Sequence, residues 1–517
     1  MSARFFGFQG RGLEARAPET YGGGQRGRFD LTELIQEADL RPAPSPTPVG
    51  AESANLSRGG VCWSLFEGAR NPYVILITIY IFMPYLAQTV VGDVVRGQEL
   101  ISQWSQYSGW AVMATAPFLG ASIDKLGRRK VWLALIVALM VPMIAALWWT
   151  KADHTGLTVT AALALTTLIG ILFTWSEVLH NSLLVRAAGL SAAHKASGLA
   201  LALGNGFSLL ALGFTACAFA LPGLPATASW GWLPREPLFG LSRALHEPER
   251  VVALMAAAIF ALGALPLFLF TPDAPRTGVP VLTALRGGAA ELWTMMRTVG
   301  RHRNAAIFLA ARMFYVDGMT AILIYAGVYA TGVMKWRELE MLFFGIVLSV
   351  LAVLGGFVGR WLDDGLGPKR AVQIEIGMSL LGIVAFLGMA PDRILYFWAF
   401  DPAVHAPLWN GPFFRTLPEW IFLLIGFSNA VFITAHYASS RTLLTRLTPP
   451  AQTGAFFGVY ALSGTATSWL GPFLVNQGTR YFKTQQGGFA TIIALLGLGF
   501  VGLLFVRGGD RRTRSRP

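Results

Sequence analysis

Apolar runs long enough to cross a membrane recur along the chain, near 72–92, 104–123, 131–150, 158–183, 197–221 and 251–271, then near 305–331, 339–362, 371–390, 418–440, 453–475 and 488–506. A span needs roughly 17 to 25 predominantly apolar residues. The pattern therefore predicts an all-α polytopic membrane protein with twelve transmembrane helices in two sets of six. Between the sets, Thr271 to Asn304 is polar and carries Arg276, Arg286, Arg297, Arg301 and Arg303. This divides the chain into a polar tail (1–62), a first six-helix half (63–271), a cytoplasmic linker (272–304), a second half (305–506) and a short basic tail (507–517).

Composition supports the membrane reading. Only 13% of the 517 residues are charged, against roughly 25% in soluble domains, and mean hydropathy is +0.52. The net charge of +13 does not point to nucleic acid, because the cations lie in short clusters between apolar runs. Those clusters fall in every second loop: Lys125 to Lys130, Arg186 with Lys195, the Arg-rich middle, Lys369-Arg370 and Arg441 with Arg446. By the positive-inside rule these loops and both termini are cytoplasmic, which for a bacterial cell means the inner membrane. The first sixty or so residues are polar with no cleavable signal, and read as a disordered tail in which Asp30 to Asp39 could form one short amphipathic helix. Cys62 and Cys217 imply neither a disulfide framework nor a metal site. No Gly-x-x-x-x-Gly-Lys-Ser/Thr run or zinc-binding His pair occurs, so no ATP-driven pump, enzyme or cofactor is expected.

Two loops say nearly the same thing. Gly120-Ala-Ser-Ile-Asp124-Lys125-Leu-Gly127-Arg128-Arg129-Lys130 returns about 240 residues later as Gly359-Arg360-Trp-Leu-Asp363-Asp364-Gly-Leu-Gly367-Pro-Lys369-Arg370. Glycine, a carboxylate one helical turn on, then a glycine turn loaded with cations describes a tight cytoplasmic hairpin, and its repetition makes one half look like a copy of the other. Gly120 is expected to admit a neighbouring helix closely, and Asp124 to accept hydrogen bonds or pair with a cation. The second copy holds one extra residue between Asp363 and Gly367.

The hairpin resembles the signature loop of the major facilitator superfamily, which joins that fold's second and third spans. Further segments are similar to its autophagy-related vacuole effluxer branch: Ser64-Leu-Phe66-Glu67-Gly-Ala69-Arg70-Asn71-Pro72-Tyr73, Ser197-Gly198 to Gly204, Tyr315-Val-Asp317-Gly318-Met-Thr320, Ser440-Arg441, Pro449-Pro450, Phe456-Phe457-Gly458, Ser463-Gly464 and Gly471-Pro472. The likeness runs from Trp63 to Phe505. It departs at Arg70, where the family usually has a small amide, at Ala455, where an acid is common, and at Thr465, where a Lys is common. The resemblance implies two pseudo-symmetric six-helix halves whose first, fourth, seventh and tenth spans line a central cavity. It also implies an amino-acid-like substrate, since yeast members of the family export amino acids from the vacuole. The protein is expected to work as a monomer that meets a small solute and membrane lipid.

Those four spans hold most of the ionisable groups within apolar sequence. Glu177, His180 and Asn181 share a face of span four, Arg312 and Asp317 lie in span seven, and Asn429, His436 and Ser440 share a face of span ten. A charge at the bilayer centre costs about 2.5 to 3.5 kcal/mol on insertion scales, so such groups face a watery cavity or a partner. The expected pairings are Glu177 with Arg312 or His180, and Asp317 with Arg312 or His436. Glu177 or Asp317 is the candidate carrier of a coupling proton, tuned by His180 or His436. At the inner gate, with Gly120 and Arg128, Arg186 at the end of span four and Arg441 at the end of span ten are the expected partners of Asp124 and Asp363, the alternative being that the two arginines serve only as positive-inside anchors. The competing reading is a lipid flippase or a non-transporting assembly factor on the same fold.

Overall fold

The computed structural model describes residues 55–508, apart from 190–191, 228–230, 274, 276 and 450–452. The Asp30 to Asp39 segment and the basic tail beyond 508 lie outside the described residues. Among the described residues ten helices are long and apolar enough to cross a membrane: α1 (Arg58–Val90), α3 (Arg129–Trp149), α4 (Val159–Ala188), α5 (Lys195–Ala220), α6 (Glu247–Phe270), α8 (Arg303–Val333), α9 (Glu338–Leu366), α10 (Pro368–Leu387), α11 (Leu417–Leu447) and α14 (Gln485–Leu504). Two further places expected of spans are filled differently. Span two is α2 (Val94–Leu126), whose first turns carry Gln98, Ser102 and Gln106, all buried. Span eleven is broken into α12 (Thr453–Thr465) and α13 (Leu470–Phe482). The polar linker contains a helix of its own, α7 (Val281–Gly300), lying along α2.

Local chemistry sets the ends of these elements. Ser57 caps α1 by accepting from the Gly60 amide at 3.0 Å, so the first helix starts ahead of Trp63. Asp93 caps α2 through the amides of Val95 and Arg96. At both repeated hairpins the helix ends on a glycine with positive φ, +65° at Gly127 and +88° at Gly367, a conformation that other residues adopt only at a cost. The extra residue of the second copy is absorbed by helix: the Gly367 amide still bonds to the Asp363 carbonyl at 3.1 Å. In the connection between α10 and α11, β1 (Arg393–Ile394) pairs antiparallel with β2 (Trp398–Ala399). Phe414 of the same connection is buried against Trp336.

Packing repeats between the halves. α1 lies against α6 as α8 lies against α14, and α4 against α2 and α3 as α11 lies against α9 and α10. The halves are sealed at the end remote from the glycine hairpins. There the Gln98 amide donates to Thr479 Oγ1 at 2.8 Å and to the Gln485 carbonyl at 3.1 Å, and Gln485 returns bonds to the carbonyls of Val94 and Val328. Asn476 bonds to the Glu99 carbonyl at 2.8 Å, while Arg480 lies 3.5 Å from the Glu99 carboxylate. Glycine permits the closest approach: a Cβ on Gly327 of α8 would stand 2.0 Å from the Ile79 carbonyl of α1. Gln98 and Ser102 of α2 thus serve this seal, which helps to make the span less apolar than its neighbours.

Candidate functional site

Two charged clusters sit inside the bundle, one in each half. In the first, α1 presents Glu67 and Arg70 on one face, three residues apart. Arg70 donates to both oxygens of Glu67 at 2.7 and 3.0 Å, lies 4.3 Å over the Phe173 ring and reaches Glu177 of α4 at 3.7 Å. The guanidinium is buried, whereas the Glu177 side chain is 49% exposed. His180, one turn further along α4, is stacked on Trp63 at 4.2 Å. Its Nε2 meets the Trp63 carbonyl at 2.8 Å, and the Trp63 indole donates to the His180 carbonyl at 2.7 Å. Two carboxylates against one guanidinium give this wall of the bundle an excess of negative charge.

The second cluster has the opposite sign. Arg312 of α8 donates to the Tyr460 carbonyl at 2.7 Å and to Ser463 Oγ at 2.6 Å, both on α12, and lies 3.6 Å over the Tyr460 ring. Among the described residues no carboxylate lies within 4 Å of it. Tyr460 is fixed in turn by Ser440 of α11, oxygen to oxygen 2.6 Å. Tyr437 of α11 is solvent-reachable although protein surrounds it, and stands within electrostatic reach of Arg312, Tyr460 and Glu177. Groups of both the negative and the positive wall therefore act on it.

Several expected pairings are replaced by others. Glu177 takes Arg70 as its cation rather than Arg312 or His180, because Arg70 stands on the neighbouring span one. Asp317 meets neither Arg312 nor His436: its Oδ2 accepts from the Gly471 amide at 2.5 Å, at the start of α13. Five residues separate Asp317 from Arg312, about 500° of helical rotation, so the two point to different neighbours. Asn181 is exposed, and Asn429 is buried against Gly382 of α10. His436 faces Glu375 of α10 at 4.0 Å.

At the hairpin end, a Cβ on Gly120 would meet, among the described residues, only Val178 at 3.7 Å, an ordinary contact rather than the close approach expected. Gly359 is the tight one, 2.9 Å from the Ala435 carbonyl. Arg128 is exposed, and Arg129 is the residue that reaches α4, donating to the Ser182 carbonyl. Arg186 and Arg441 are exposed, and the Asp124 side chain lies outside the described residues. Asp363 turns toward Ser439, Thr442 and Arg446. Arg441 points elsewhere, since two residues from Ser439 is about 200° around the helix.

Three participants were missed from sequence. Glu67 and Arg70 were read as part of a family motif and its departure, although a carboxylate and a guanidinium three apart in an apolar run already indicate an ion pair. Glu375 is the lone acid of span nine, and that isolation was the available signal. A cavity of about 540 Å³ lies elsewhere, between Phe207, Leu210 and Phe214 of α5 and Met255, Ile259 and Leu262 of α6. Its lining has no charged side chain, so it suits an acyl chain rather than the chemistry above. Replacing Tyr460 by phenylalanine is expected to remove only the Ser440 bond, costing about 1 kcal/mol. The check is a slightly lower melting temperature with transport retained.

Comparison with known proteins adds the following. A family model described as "Vacuole effluxer Atg22 like" matches residues 245–514. Autophagy-related protein 22 of Vanderwaltozyma polyspora is 23% identical over 247 residues, covering 47% of this chain and 44% of that protein. The chain thus spans less than half the length of such fungal relatives. The uncharacterized MFS-type transporter YxiO of Bacillus subtilis is 20% identical over 457 residues, covering 86% of this chain and 94% of that one. Among solved structures, the nucleoside transporter NupG superposes with a TM-score of 0.56 at 13% identity, over 86% of this chain and 97% of that one. The xylose transporter XylE from E. coli, in an inward open conformation, gives 0.53 at 15% identity over 89% and 96%.

Proposed function

The chain belongs to the Atg22-like vacuole effluxer family, and as a multi-pass membrane transporter of the major facilitator type it moves, we propose, a small zwitterion such as an amino acid by alternating access. The observation that carries this reading is the opposite sign of the two walls. Glu67 and Glu177 outweigh Arg70 on one side, Arg312 has no carboxylate within 4 Å among the described residues on the other, and Tyr437 lies within electrostatic reach of both. An α-ammonium group suits the first wall and an α-carboxylate the second.

On this reading the conformation is sealed at the outer end by the Gln98, Asn476 and Gln485 contacts. By the positive-inside rule the glycine hairpins are cytoplasmic, so the cavity faces inward, and closing the hairpin end while parting the outer seal would release the solute outside. Asp317 belongs to the hinge of the broken span rather than to the solute. His180, clamped to Trp63, fixes α4 against α1.

A thermal-shift screen of the purified protein against amino acids, short peptides and lipids tests this. A ligand present at about 100 times its Kd should stabilise the fold by about 2.7 kcal/mol. Amino acids should raise the melting temperature of the parent, and much less that of Glu177→Gln, whose side chain is exposed enough to tolerate the change. Stabilisation by lipids alone would overturn the zwitterion reading in favour of lipid movement.

A further inference from the structure

Behind the positive wall lies a buried acid and imidazole that solute binding does not use. Glu375 of α10 and His436 of α11 are both fully buried, 4.0 Å apart from Oε2 to Nδ1. Glu375 Oε1 accepts from Ser439 Oγ at 2.8 Å, but among the described residues Oε2 and both ring nitrogens of His436 have no hydrogen-bond partner. Such groups are costly in hydrocarbon surroundings unless they hold something. Together they are neutral as acid with imidazole or as carboxylate with imidazolium, and either arrangement carries one proton more than the bare carboxylate with imidazole.

We propose that Glu375 and His436 form a proton-binding site inside the second half, connected to hairpin-side water through Ser439 and Asp363. Ser439 touches Glu375 on one side and lies beside half-buried Asp363 of α9 on the other. When the site loses its proton the Glu375 O–H bond breaks toward Ser439 Oγ, the Ser439 hydroxyl proton passes to the Asp363 carboxylate, and hairpin-side water takes it from there. The groups facing the pair are Arg312 and Tyr315 from α8, Asp363 from α9 and, through Tyr315, Tyr460 from α12; α14 brings no titratable side chain. His436 meets the Tyr315 ring at 4.7 Å and lies within reach of Arg312.

The sign of the coupling follows. A deprotonated pair is an internal anion that competes for Arg312, whereas a protonated pair leaves Arg312 to the solute carboxylate. Proton and solute therefore bind together. This last step rests on the zwitterion reading; the proton site itself does not.

Two measurements on the full-length protein separate them. Infrared difference spectra recorded against pH, without any solute, should contain a protonated-carboxyl band that titrates and disappears in Glu375→Gln. The same band should persist in Ser439→Ala with a displaced midpoint. Persistence in Glu375→Gln, or an unmoved midpoint in Ser439→Ala should the first variant fail to fold, overturns the site. In proteoliposomes, exchange of a mixture of labelled amino acids at equal pH should survive Glu375→Gln, while stimulation by a pH gradient should be lost. Retained stimulation overturns the coupling; no exchange by the parent overturns the substrate class and leaves the infrared result standing.

Discussion

Replacing Glu67 by glutamine is expected to reduce amino-acid transport at least tenfold and to lower stability by about 3 kcal/mol. The magnitude is that of breaking a buried ion pair by removing one partner, which leaves the other charge uncompensated. Arg70 is buried and takes both of its shortest contacts from this one carboxylate, while Glu177 stands 3.7 Å away and half exposed. With Glu67 neutral, Arg70 would draw Glu177 inward and the negative wall would lose its free carboxylate. Calorimetric melting of the purified variant and uptake by proteoliposomes check the two effects separately. Parent-like values for both would mean that Glu177 and the Phe173 ring suffice to hold Arg70.

Substituting alanine for Gly327 should shift the protein away from its sealed outer end. A Cβ at this position would stand 2.0 Å from the Ile79 carbonyl, and backbone cannot yield as a flexible side chain can. The clash exists only while α1 and α8 are in contact at that end, so it penalises that state selectively, and a differential cost of that kind is what moves a conformational equilibrium. Ser102 reports the outcome, being buried beneath the seal. With Cys62 and Cys217 replaced by serine, a Ser102→Cys reporter should resist a membrane-impermeant maleimide in the parent and react at least tenfold faster beside Gly327→Ala. Equal rates would show that α8 adjusts locally and that the seal does not depend on this glycine.

Much of the architecture was legible because apolar length and charged turns are local properties. The runs that became α1, α3 and α11 needed only to be counted, and Gly127 and Gly367 announced hairpins because positive φ leaves few alternatives to glycine. The pairing of charges was a different matter. Spacing along α4 assigned Glu177 and His180 to one region of the helix, but which neighbour faces it depends on how α1 is rotated, and that is a tertiary property. Arg70 was accordingly read as a departure from a motif rather than as the cation of Glu177. Asp317 was assigned a charged partner and found a backbone amide, because the break before α13 frees an N–H that an unbroken helix would have consumed. Gly464, Gly471 and Pro472, poor formers of a continuous helix, flank the interruption.

That interruption divides span eleven into two levers with a joint between them. α12 carries the Tyr460 and Ser463 acceptors of Arg312, while α13 carries Asn476 and Thr479 of the outer seal. A rigid span would transmit any pull on Arg312 straight to the seal. Under the alternating access proposed above, a joint at Ala466 to Trp469 would let the inner lever follow an arriving solute through part of its travel before the outer lever is engaged. Lost motion of that kind would keep the far side shut until the cavity is occupied, a safeguard against leak that a continuous helix could not provide.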